Sequence, residues 1–139
     1  MKSRDLEQQK ALQEIRVGLI KKGKVLVVCS TGWGKGHLIK LISETIKTSM
    51  LVIVPRVNLV RDLSQRTGGE IFCATLGEKN IGKITIATKQ SLKEIKADLI
   101  ILDECHSYSD EFLEKVESSC RYLIGLTATP YSSEGYIHE

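Results

Sequence analysis

An α/β fold, with a mostly parallel central sheet covered by helices on both faces, is what this chain predicts. Two observations carry the prediction. Strand-like apolar runs alternate with helical segments along the 139 residues, and the runs are continuously apolar, as in Val25-Leu26-Val27-Val28 and Leu99-Ile100-Ile101-Leu102. A strand with apolar residues on both sides must be buried on both faces, and parallel strands need crossover helices that provide the cover. The length suits one ordinary domain, able to bury roughly two-thirds of the surface its unfolded chain exposes.

The elements follow in order. Asp5 to Lys22 is a helix, with Leu6, Leu12, Ile15, Leu19 and Ile20 mostly on one face and Gly23 as its stop. Lys24 to Cys29 is a valine-rich buried strand, followed by a glycine loop and a helix from about Lys35 to Ile46. Met50 to Val54 is a strand closed by Pro55; Asn58 to Arg66 is a helix broken by Thr67-Gly68-Gly69. Ile71 to Ala74 is a short strand, Gly77 to Gly82 a polar turn region, Ile84 to Ala87 a strand, and Gln90 to Lys96 a short helix. Asp98 to Asp103 is a strand, Asp110 to Ser118 a helix, and Tyr122 to Leu126 the last clear strand. The polar tail after Pro130 reads as a linker or a frayed end.

Composition narrows the class. With 42% hydrophobic and 27% charged residues and a formal net charge of +3, the chain is globular and mildly basic. That balance permits a polyanionic partner without demanding one. Cys29, Cys73, Cys105 and Cys120 are widely spaced, with no Cys-x-x-Cys pair, which argues against a zinc site or a disulfide framework and for reduced thiols. The N-terminus has no secretory apolar region, and no run approaches the ~20 apolar residues of a membrane span. An intracellular, soluble, cytoplasmic protein with no membrane partner is the expectation.

Three short motifs bear chemistry. Thr31-Gly32-Trp33-Gly34-Lys35-Gly36 directly follows the first strand and opens a helix. Backbone N–H groups and the helix dipole converge there on a spot suited to phosphate oxygens, with Lys35 in reach of the outer phosphates. A plain glycine turn without a ligand would use the same residues, with Trp33 filling the loop. In a complete Walker A loop the residue after the lysine is Ser or Thr, whose hydroxyl meets Mg²⁺; here it is Gly36. Next, Leu102-Asp103-Glu104-Cys105-His106 places two carboxylates at the carboxyl end of a buried strand, where open α/β sheets bind ligands. Asp103 could hold Mg²⁺, usually through water, and Glu104 could orient or deprotonate a water. An acidic helix start would look alike, although pairing with an upstream glycine loop and lysine favours the metal reading. Last, Gly125-Leu126-Thr127-Ala128-Thr129-Pro130 offers hydroxyls after another strand end, or an ordinary strand-to-loop turn.

Together these residues resemble the first RecA-like domain of superfamily 2 helicases and translocases, within it the type III restriction, ResIII-like and DEAD/DEAH-type repair-helicase branch. Motif I resembles 31–36, motif Ia Val54-Pro55-Arg56-Val57-Asn58-Leu59, and the double-glycine element Gly68-Gly69. Motif Ic resembles Ile86-Ala87-Thr88-Lys89-Gln90-Ser91-Leu92, motif II Asp103-Glu104-Cys105-His106, and motif III Thr127-Ala128-Thr129-Pro130. Six elements in order are far more specific than any one.

The resemblance implies a three-layer RecA-like P-loop domain over residues 1–139 that binds ATP and Mg²⁺. Thr31, Gly32, Trp33, Gly34, Lys35, Gly36 and His37 would surround the nucleotide phosphates, and Gln8 would read the base, although its usual aromatic neighbour is Glu7 here. Lys35, Asp103 and Glu104 would be catalytic, Asp103 holding Mg²⁺. Pro55, Arg56, Gly68, Thr88 and Gln90 would touch the sugar-phosphate backbone of one nucleic-acid strand, DNA in preference to RNA, and position it without reading sequence. His106, Thr127 and Thr129 would couple the two sites. Two departures bear on activity. Gly36 removes one Mg²⁺ partner, a deficit of about 1–3 kcal/mol, or about ten- to hundredfold. The second RecA-like domain, with an arginine finger worth about 10³–10⁵ in rate, is absent from this chain and is expected in cis if the chain is a fragment, or in trans. The isolated domain should therefore hydrolyse ATP very slowly. The alternative is a standalone, catalytically weak nucleic-acid- or protein-binding module that keeps the fold.

Overall fold

The computed structural model describes residues 3–29, 34–128 and 136–138. The strands are β1 (Lys24–Cys29), β2 (Met50–Ile53), β3 (Glu70–Cys73), β4 (Glu78–Lys79), β5 (Ile84–Ala87), β6 (Leu99–Leu102), β7 (Tyr122–Ala128) and β8 (Tyr136–His138). The helices are α1 (Ser3–Lys22), α2 (Lys35–Thr45), α3 (Val57–Thr67) and α4 (Asp110–Ser119). Among the described residues one sheet runs in the order β4-β3-β5-β2-β6-β7-β1-β8. The neighbours from β3 through β1 are all parallel, while β4 and β8 close the two edges antiparallel.

Register explains why the central runs are apolar throughout. Val52 of β2 sits between Ile86 of β5 and Ile101 of β6. Side chains alternate across the sheet, so Leu99 and Ile101 enter one core with α1, α2 and α3, while Ile100 and Leu102 enter a second core with α4. All four are at most 1% exposed, and each such side chain contributes about 1.5–3 kcal/mol by leaving water. The expected three layers are therefore present. Among the described residues no helix is long and apolar enough to cross a membrane.

Several local expectations differ from what the structure shows. The buried stripe of α1 is Gln8, Ala11, Leu12, Ile15 and Leu19; Leu6 and Ile20 are 57% and 82% exposed. The polar residue Gln8 belongs to the buried face, so counting only apolar residues rotated the stripe. The turn region Gly77 to Gly82 contains β4, which pairs Lys79 with Phe72 and Glu78 with Cys73. A two-residue charged strand satisfies the outer edge of β3 without inviting further pairing. Tyr131 to Gly135, read as a linker or a frayed end, lie outside the described residues, but just after them comes β8, whose Ile137 pairs with Val27 on the other edge. The segment read as a helix from Gln90 is a 3-10 helix over Lys89–Lys93, and β7 runs on to Ala128.

Candidate functional site

Every described motif residue except Gln8 and Gly68 follows or ends a parallel strand at its carboxyl end. α2 begins at Lys35, preceded by Gly34 at φ 95° and ψ 47°. That left-handed backbone is open to glycine and strained for nearly anything else. It turns the chain from β1 into a helix whose first turn carries no acidic residue to offset the dipole, leaving positive potential at this end. Gln8, fully buried on α1, donates from Nε2 to the Gly34 carbonyl at 3.2 Å. The leading helix is thereby joined to the loop. His37 lies half-buried in the first turn of α2. Thr31, Gly32, Trp33 and Thr129 lie outside the described residues.

Lys35 Nζ donates to Asp103 Oδ1 at 2.9 Å, joining residues 68 positions apart. The Asp103 side chain is 6% exposed and that of Lys35 30%. A carboxylate this buried needs a charged partner, and the lysine is that partner. Behind the pair, burial pushes the Cys29 thiol up to about 11, with Lys35 pulling it down and Asp103 pushing it up to lesser degrees. Cys29 is therefore a neutral packing residue.

Glu104 has φ 49° and ψ 52°, the one non-glycine residue with positive φ among the described residues. For an L-residue this costs about 1–2 kcal/mol, and such strain persists at functional positions where surrounding structure fixes it. Next to it, His106 Nδ1 lies 2.7 Å from Thr127 Oγ1, so the ends of β6 and β7 are bonded together.

A second concavity, a cavity of about 550 Å³, is lined by Pro55 after β2, Thr88, Gln90 and Ser91 after β5, and Ser107 and Tyr108 after β6. Three of the five expected strand-contact residues therefore converge on it. Arg56 and Gly68 are exposed but do not line it. Gly68 has φ 75° and caps α3, its N–H donating to the Ser64 carbonyl at 2.8 Å. Helix termination alone accounts for that glycine. Sequence reasoning missed Ser107 and Tyr108. The Tyr108 ring meets Phe112 at 4.9 Å, and its Oη is buried without a partner among the described residues. Their only sequence signal is their place directly after Asp103-Glu104-Cys105-His106.

The donor set suits a nucleotide carrying its own cation. The helix end with its free N–H groups and the Lys35 ammonium are donors of the kind a phosphate accepts from. Among the described residues no three His, Cys, Asp or Glu side chains gather as a metal cage. Mg²⁺ commonly binds through one or two carboxylates plus substrate phosphates and water, which fits Asp103.

Residues 2–132 match the family described as type III restriction enzyme, res subunit. The chain is 29% identical over 133 residues to the 109L protein of Invertebrate iridescent virus 3, covering 80% of this chain and 40% of that protein. It is 28% identical over 128 residues to the DNA 3'-5' translocase XPB2 of Sulfurisphaera tokodaii, covering 84% and 29%. The UvsW helicase of bacteriophage T4 superposes with a TM-score of 0.67 at 21% identity, over 87% of this chain and 51% of that one. The chain thus spans well under half the length of these curated relatives. It belongs to the type III restriction enzyme res-subunit family and has the fold of the first RecA-like domain of superfamily 2 helicases.

Proposed function

We propose that this domain is the ATP-binding half of an ATP-dependent DNA helicase or translocase. The observation that carries the reading is the ion pair of Lys35 with buried Asp103 at the N-terminus of α2. A lysine and a buried carboxylate at a helix N-terminus are what a phosphate and its cation need. Bound Mg²⁺ would neutralise charge on the outer phosphates. Lys35 would leave Asp103 for a phosphate oxygen, freeing the Asp103 carboxylate for the cation's water shell. Glu104, fixed by its strained backbone, would accept a proton at its carboxylate from the attacking water. Gln8 would read the base, and Gly34, Gly36, His37 and the residues at 31–33 would line the phosphates.

The cavity supports a strand-binding role for Pro55, Thr88 and Gln90, with Arg56 directly after Pro55; Gly68, just before β3, lies at the opposite, amino end of the sheet, away from them. Its size and the Lys79, Lys89 and Gln90 side chains in its lining suit a sugar-phosphate backbone, and kinship to a DNA translocase favours DNA. The His106–Thr127 contact supports a coupling role, since it ties the acidic turn to β7. A second RecA-like domain, in cis or in trans, would complete the strand surface and supply the arginine finger. Gly36 favours a second reading, a binding module with weak turnover, because it lacks the metal-facing hydroxyl.

Calorimetric titration with ATP and Mg²⁺ tests the reading. The parent binds, and Lys35→Ala loses about tenfold or more, the worth of one charge-assisted contact. A Lys35→Ala variant that binds as well as the parent removes the nucleotide site.

A further inference from the structure

Gly36 stands where a phosphate loop places its metal-facing hydroxyl, and a cation lies beside it. A Cβ built on Gly36 would be 3.1 Å from Arg66 Nε and 3.3 Å from both Cδ and Cζ. The guanidinium at the end of α3 therefore lies against the first turn of α2, next to Lys35 in sequence. Its Nε donates to Asp62 Oδ2 at 3.0 Å, one turn back on α3. Among the described residues its two terminal nitrogens make no hydrogen bond or ion pair, and the side chain is 46% exposed. Close packing of α2 on α3 explains a small residue at Gly36 but not a cation there. Positive charge is disfavoured at a helix N-terminus, and a lysine already occupies it. Asp62, bonded to Arg66, and Asp103, bonded to Lys35, offset part of that repulsion; an incoming polyanion would offset the rest.

We infer that Arg66 is a phosphate-binding residue of the nucleotide site, its guanidinium supplying fixed positive charge where the hydroxyl that would help hold Mg²⁺ is missing. The ligand is the polyphosphate of a nucleoside di- or triphosphate, so the inference rests on the nucleotide reading above. Gly36 and Arg66 form a pair: a side chain at Gly36 would displace the guanidinium. Part of the divalent cation's work then falls to a fixed charge, and affinity depends only weakly on Mg²⁺.

The test is ATP titration of the whole chain, once with excess Mg²⁺ and once with EDTA. The parent changes by less than about fivefold between buffers. Arg66→Gln loses about tenfold in EDTA, the worth of one charge-assisted contact, and less with Mg²⁺, while melting within a few degrees of the parent because the side chain is half exposed. Gly36→Thr binds with a larger Mg²⁺ dependence than the parent. If Arg66→Gln matches the parent in EDTA while Lys35→Ala has lost binding, the role of Arg66 falls and the nucleotide site stands. If the parent binds ATP in neither buffer, or Lys35→Ala binds like the parent, both fall.

Discussion

Replacing Asp103 with Asn should tighten the binding of metal-free ATP. The parent must break the 2.9 Å Lys35–Asp103 pair before Lys35 can reach a phosphate. A hydrogen bond to a charged group is worth about 1.5–3 kcal/mol. Lys35 keeps 30% of its side chain in water, and solvent screening reduces such a pair toward about 1 kcal/mol. Asn keeps the shape of the site and removes the negative charge that holds the lysine, so ATP in EDTA gains about 1 kcal/mol, roughly fivefold in affinity. With Mg²⁺ the sign reverses, because the carboxylate that faces the cation is gone. The assay is calorimetry or fluorescent-nucleotide titration of parent and Asp103→Asn in both buffers. An unchanged affinity in EDTA would show that the pair does not gate Lys35. A variant that keeps the parent's Mg²⁺ response would remove Asp103 from the cation's surroundings.

Three further outcomes are expected. Glu104→Gly relieves the left-handed backbone and raises unfolding stability by about 1 kcal/mol in urea, while abolishing any turnover; destabilisation would mean that φ 49° carries no strain. Arg56→Ala lowers the slope of log affinity for single-stranded DNA against log salt by about 0.7, one phosphate contact, whereas an unchanged slope places Arg56 off the strand path. Cys29 resists alkylation at pH 8 in the folded protein, because burial pushes its thiol up to about 11 from 9.0. Its folded value is the higher one, so its contribution to stability is complete below pH 9 and is lost as pH rises through about 11; rapid native labelling would contradict its burial.

The layer architecture was legible because both faces of β2 and β6 are covered. Burial on two sides forces Met50 to Ile53 and Leu99 to Leu102 to be apolar at every position, a signal local to each run. The edges were not legible. Glu78-Lys79 and Tyr136 to His138 are strands only because β3 and β1 offer open hydrogen-bonding edges, and nothing in a short polar run records a distant partner. The stripe of α1 was misplaced for a related reason: Gln8 is buried through its bond to the Gly34 carbonyl, a contact that hydrophobic periodicity does not register.

By itself, then, the sequence determined the order of strands and helices and the chemistry at their ends, since a glycine turn, a lysine and an acidic pair are local patterns. It also located Pro55, Thr88 and Gln90 without showing that they share one cavity. Only the tertiary structure decided which of these groups meet. Lys35 and Asp103, 68 residues apart, are brought to 2.9 Å because β1 and β6 flank β7 in one sheet. Arg66 reaches Gly36 because α2 and α3 pack side by side on one face. Chain folding creates such proximities through many weak contacts at once, and no short stretch of sequence contains them.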